Sequence, residues 1–153
     1  MRFGLNTFLY ASPFTNESVS MFKKLKKWGF DTVEIAIEDP SHVDPAVLKA
    51  AAAKAGIAIG SVCAAMGPGR DFRGSAADQK NAQRYLTALV DQAAAMGCPR
   101  IIGPLYSVVG LIGSHDDQTK AQHFKLVVKN LKQLAKHAEK KGVLLCVEPL
   151  NRF

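Results

Sequence analysis

Lys141-Gly142-Val143-Leu144-Leu145-Cys146-Val147-Glu148-Pro149 decides how this sequence folds. A glycine stops a lysine-rich helix, an unbroken apolar run follows, and a carboxylate and a proline close it. A continuous apolar run of this kind marks a parallel strand buried on both faces. Glycine just past a helix takes the left-handed conformation without a Cβ penalty.

The same unit recurs along the chain. The first apolar run is Arg2 to Thr7, followed by a helix from about Asn16 to Trp28 that ends at Gly29. The second is Thr32 to Ile37, with a helix from about Pro45 to Ala55 and Gly56. The third is Ile57 to Cys63, with a helix from about Ala76 to Met96 and Gly97. The fourth is Arg100 to Pro104, with a helix from about Asp117 to Lys141 and Gly142; Val143 to Glu148 is the fifth. Tyr85, Leu86, Leu89, Ala93 and Met96 share one face of the third helix, and Phe124, Val127, Val128, Leu131, Leu134 and Ala138 one face of the fourth. Strand and helix in strict alternation predict an α/β fold on a parallel sheet.

Two such folds compete, an open doubly wound sheet and a barrel. A nucleotide-binding sheet carries a glycine-rich loop after an early strand, but Tyr10-Ala11-Ser12-Pro13-Phe14 has no glycine, and neither G-x-G-x-x-G nor a Walker A sequence occurs. The long irregular loops, Met66 to Gly74 and Leu105 to Asp116, both follow strand C-termini, whereas the opposite turns are one to three residues. That asymmetry predicts a barrel with its site at the C-terminal face of the strands. The expectation is one partial TIM-barrel domain over residues 1–153, the N-terminal portion of a (β/α)8 barrel with about five parallel strands and four helices.

Composition narrows the function classes. The net charge of +7 invites a nucleic-acid reading. The lysines, however, sit at Lys23, Lys24, Lys26 and Lys27 and at Lys125, Lys129, Lys132, Lys136 and Lys140, at the spacing of solvated helix faces. No apolar run reaches the ~18 residues of a membrane span, and no signal-peptide pattern opens the chain. The three cysteines, Cys63, Cys98 and Cys146, form no C-x-x-C pair. Cys63 and Cys146 read as small buried hydrophobes, and the unpaired set points to a reducing cytoplasm.

Glu148 is the sharpest candidate for chemistry. A carboxylate at the tip of a buried strand is metal-bound, hydrogen-bonded or neutralised by an arginine. Glu34, flanked by Val33 and Ile35, faces the barrel interior or a helix N-terminus, and a structural polar role outweighs catalysis there. Met66-Gly67-Pro68-Gly69 is either a pocket-shaping loop or a simple turn. His42, His115, His123 and His137 show no metal-ligand spacing.

Several segments together resemble the ketose 3-epimerases (D-tagatose and D-psicose 3-epimerases) of the xylose-isomerase-like TIM-barrel superfamily. They are Phe3-Gly4-Leu5-Asn6-Thr7, Gly29 to Ala36, Gly67-Pro68-Gly69-Arg70-Asp71, Gly103-Pro104-Leu105-Tyr106-Ser107 and, most specifically, Val147-Glu148-Pro149-Leu150-Asn151-Arg152-Phe153. The resemblance implies that a ketose is epimerised at C3 through an enediolate, with a divalent cation (Mn2+, Co2+ or Mg2+) on the sugar's C2 and C3 oxygens. Glu148 would be metal ligand and acid/base, with an Asp, a His and a second Glu from later strands. Asn6, Tyr10, Met66, Gly67, Gly103 and Ser107 are candidate substrate-pocket lining.

The family's chains are about twice this length, and five strands cannot close an eight-stranded barrel. The chain is therefore expected to be an inactive N-terminal half whose first and fifth strands are exposed edges. Its expected partners are a ketose and either a second copy or a complementary C-terminal half. Other sugar isomerases or an inosose dehydratase of the superfamily, a metal-dependent DNA-repair endonuclease, and a non-catalytic self-associating half-barrel are the alternatives. The endonuclease would depend on Arg70, Arg73 and Arg152, the basic residues in the loops.

Overall fold

The helices end where the glycines fall. In a computed structural model of the chain, which describes residues 1–111 and 113–150, Gly56, Gly97 and Gly142 cap their helices in the left-handed conformation, with φ of 67°, 72° and 68°. Helix starts are as definite. Asp44 caps α2 (Pro45–Ala55), Ser75 and Asp78 form a reciprocal capping box on α3 (Ala76–Met96), and Asp116 caps α4 (Asp117–Lys141). In each, a side-chain oxygen accepts from a first-turn amide that has no partner within the helix.

Five parallel strands, β1 (Gly4–Asn6), β2 (Thr32–Ile37), β3 (Ala58–Ala64), β4 (Arg100–Gly103) and β5 (Leu144–Val147), lie in sequential order. This order, with a helix between successive strands, is the N-terminal half of a TIM barrel. The helices cover one face. Val33, Ile35, Ile37, Val62 and Ile101 are fully buried, and α3 packs Tyr85, Leu86, Leu89, Val90, Ala93 and Met96 into the same core. A leucine buried to that extent contributes about 1.5–3 kcal/mol.

Four expectations need correction. The first helix is split into a 3₁₀ turn, Asn16–Ser20, and a short α1, Met21–Lys27. The Met21 amide donates to Ser18 O and Val19 O, so the first turn closes with 3₁₀-type bonds before the α-helical ladder begins. The first strand stops at Asn6, because its side chain accepts from the Phe8 amide and turns the chain into a 3₁₀ turn over Thr7–Leu9. The apolar runs are not buried on both faces. The concave face is open, leaving Leu144 at 62% exposure, with Cys63 and Cys146 half-buried rather than sealed in the core; Cys98 is the buried cysteine. On α4, Leu134 and Ala138 are buried, but Phe124 is 70% exposed because its turn extends past the cover of α3. β1 and β5 form the two edges, as expected, with Phe3 and Val147 exposed.

Candidate functional site

The concave face takes its chemistry from strand register. β2 and β3 pair Val33 with Ile59 but Glu34 with Ser61, so a bulge skips one residue of β3. Asn6 pairs with Glu34 on the other side. The side chains meet: Asn6 Nδ2 donates to Glu34 Oε1 at 2.7 Å and Ser61 Oγ donates to Oε2 at 2.5 Å. Glu34 therefore lies on the barrel-interior side. Two strand positions further on, Ala36, Cys63, Ile102 and Cys146 form the next cross-strand row. Residues two apart share a face, so Glu148 follows Cys146 at the C-terminal edge of this surface.

Charge couples these levels. Burial and the Glu34 carboxylate push the Cys63 thiol up to about 11, against a hydrogen bond with Asn6, and Glu148 adds a smaller upward push. Cys63 is thus a neutral thiol at physiological pH, lying between two carboxylates.

Glu148 is held by its backbone. Its amide donates to Gly103 O at 2.8 Å, extending the β4–β5 ladder past the last strand residue. Gly103 has φ 140°, and a Cβ there would come within 2.9 Å of Ala64 O, so the position takes no side chain. The Leu150 amide donates to the Tyr106 hydroxyl at 3.3 Å. The Glu148 carboxylate is exposed and accepts no hydrogen bond from the described residues.

The two long loops lock together. Asp71 is buried, and its carboxylate accepts from Arg73 N, Nε and Nη2 and from the Val108 amide at 2.7–3.3 Å. Burial pushes this carboxyl up, but the hydrogen bonds and charge of Arg73 outweigh it and hold the group below the ordinary aspartate value. The Phe72 amide donates to Tyr106 O and the Val109 amide to Met66 O. Arg70 stacks on the Tyr85 ring at 4.1 Å and donates to Glu38 O. The Tyr85 hydroxyl, pushed up to about 12 by burial, donates to Ile37 O and accepts from the Ala65 amide. Arg70 and Arg73 are thus committed to internal contacts; Arg152, with Asn151 and Phe153, lies outside the described residues.

The candidate lining residues are scattered by comparison. Asn6 is on the concave face, bonded to Glu34. The Tyr10 ring packs against Trp28 at the end of α1, with centroids 5.9 Å apart. Met66 is fully buried in the core, and Gly67 O accepts from the Arg70 amide in a tight turn. Ser107 is buried within the locked loop, and Gly103 contributes its carbonyl. Ser61 and Cys63 share the concave face with Asn6 and Glu34, a placement that the sequence pattern does not mark because it depends on the bulge.

An ordered run of parallel strands with helices on one face and polar groups on the other defines the N-terminal half of a β/α barrel. The chain belongs to the xylose isomerase-like TIM barrel family, whose model matches residues 22–153. It is 28% identical over 159 aligned positions to a protein of Synechocystis sp. described as a probable ketose 3-epimerase, covering all of this chain and 53% of that one. The fold is similar to D-allulose 3-epimerase from Methylomonas sp., solved with D-allulose (TM-score 0.85, 20% identity, all of this chain and 52% of that one). It is also similar to D-psicose 3-epimerase from Clostridium cellulolyticum, solved with D-tagatose (TM-score 0.83, 26% identity, all of this chain and 54% of that one). The chain spans about half the length of these relatives.

Proposed function

We propose that this chain supplies the first five strands of a ketose 3-epimerase, with Glu148 as a metal ligand and as the acid/base on one face of the sugar. The observation that carries the reading is the exposed carboxylate of Glu148, fixed by its backbone at the C-terminal tip of β5 in a chain of this family. An oxygen donor of this kind fits one ligand of Mn2+, Co2+ or Mg2+. Among the described residues no group of three His, Cys, Asp or Glu side chains converges on a metal position, so the other ligands belong to further strands. When bound, such a cation would supply positive charge that stabilises the anion formed from the ketose. Glu148 accepts the C3 proton, leaving an enediolate, or returns it in the reverse direction. A carboxylic acid on the opposite face gives its proton to C3 and so completes the inversion, itself becoming the carboxylate.

With one carboxylate of that set, the 153-residue chain alone turns over no ketose. Its exposed edges, β1 and β5, pair with a complementary C-terminal half or with a second copy. The unpaired cysteines fit a cytoplasmic setting. The commitment of Arg70 and Arg73 to internal contacts disfavours a nuclease, which needs free cations along its loops.

The test is a chimera in which this chain replaces the matching half of the Synechocystis relative. With Mn2+ it should exchange the C3 hydrogen of D-psicose or D-tagatose with solvent, and Glu148→Gln should abolish this. A folded, metal-binding chimera without C3 exchange, or turnover by the 153-residue chain alone, would overturn the reading.

A further inference from the structure

We infer that Tyr106 is a positioning residue for Glu148, an inference that rests on the proposed role of Glu148. The segment after β4 is gripped on one side and grips on the other. Towards β3, Tyr106 O accepts from the Phe72 amide at 3.1 Å, the Val108 amide donates to Asp71 at 3.3 Å, and the Val109 amide donates to Met66 O at 2.9 Å. Towards β5, Gly103 O takes the Glu148 amide at 2.8 Å and the Tyr106 hydroxyl takes the Leu150 amide at 3.3 Å. Glu148 is thus bracketed. One anchor is its own amide, and the other lies two residues on, past Pro149, which offers no amide of its own.

The two anchors differ in kind. The Gly103 bond continues the sheet ladder and forms with any side chain at position 106. The Leu150 bond needs a hydroxyl at one place, on a loop that Asp71 and Phe72 already hold still. It fixes the direction in which the chain leaves β5, and with it the path on which the Glu148 Cα–Cβ bond is carried. A small misplacement of a reacting group is costly in rate while leaving binding of the substrate largely intact. Tyr106 therefore acts on turnover through Glu148.

Tyr106→Phe removes the hydroxyl and keeps the ring. In the 153-residue chain, hydrogen exchange followed by NMR should show the Leu150 amide exchanging about tenfold faster, as loss of one hydrogen bond implies. The Phe72 and Val109 amides should keep their protection. In the chimera, kcat should fall about tenfold with KM and melting temperature unchanged. Unchanged Leu150 exchange would overturn the inference, as would unchanged kcat. Joint loss of Phe72 protection and melting temperature would also overturn it, because it marks a general structural role. An unsubstituted chimera without turnover defeats the proposed function instead, and Leu150 exchange still decides whether Tyr106 sets the end of β5.

Discussion

Asn6 Nδ2 donates to Glu34 Oε1 across the β1–β2 pair at 2.7 Å, and this bond ties the edge strand of the half-barrel to its interior. The Asn6 oxygen also accepts from the Phe8 amide at 2.9 Å, so one side chain joins the sheet to the first loop. Glu34→Ala would strand two part-buried donors, Asn6 Nδ2 and Ser61 Oγ. Losing their acceptor should cost about 1–3 kcal/mol. Urea denaturation should show this loss for Glu34→Ala and a smaller one for Glu34→Gln, which keeps a carbonyl acceptor.

Cys63 should alkylate as a high-pKa thiol. Burial first, and Glu34 second, push its pKa up to about 11. Only the thiolate attacks iodoacetamide, so labelling at Cys63, followed by peptide mass spectrometry, should climb steeply towards pH 11. Glu34→Gln removes a repelling charge and should move that rise to lower pH. The sign for stability follows. The folded thiol ionises above the ordinary value of 9.0, so its contribution is complete below pH 9 and is lost as pH rises towards 11.

Much of this architecture was legible because it is written in local chemistry. The limits of α2, α3 and α4 follow from Asp44, Ser75 and Asp116 at their starts and glycines at their ends. The short first strand was not legible, because Asn6 turns its side chain onto nearby backbone, and neither was the broken first helix, whose 3₁₀ and α-helical turns share one apolar periodicity. Glu148 stood out as a charge closing an apolar run. Ser61 and Cys63 did not, because their facing depends on a bulge opposite Val33 and Glu34, and a one-residue shift swaps the two faces of a strand. Exposure of Phe124 and Leu144 depends on what lies beside α4 and β5, which periodicity does not reveal.

Gly103→Ala should destabilise the C-terminal edge of the sheet. Its φ of 140° disfavours any side chain, and the new Cβ would meet the Ala64 carbonyl oxygen at 2.9 Å. Backbone on one side and a strained φ on the other leave no cheap relaxation, so the cost should be about 1–3 kcal/mol. At about 2–4 °C per kcal/mol for a chain of this size, thermal melting resolves it. Because Gly103 O holds the Glu148 amide, exchange at Glu148 should quicken with it.

Asp71 should be the most sensitive position outside the apolar core. Its buried carboxylate takes three bonds from the partly buried Arg73 and one from the Val108 amide, and so joins the loops after β3 and β4. Removing Arg73 leaves the buried Asp71 carboxylate without its main partner, at about 1–3 kcal/mol. Asp71→Ala should cost more than Arg73→Ala, because the aspartate also holds Val108. The double variant should cost less than the two single losses added together, since neither charge is then left alone. The pH dependence has a fixed sign. Asp71 sits below its ordinary value of 3.8 in the folded chain, so its stabilisation is present above pH 4 and fades as pH falls through the folded value. Denaturant midpoints between pH 2 and 6 should therefore fall with acid in the wild type and fall less in Asp71→Asn; equal slopes would show that Asp71 is not the group that links the two loops.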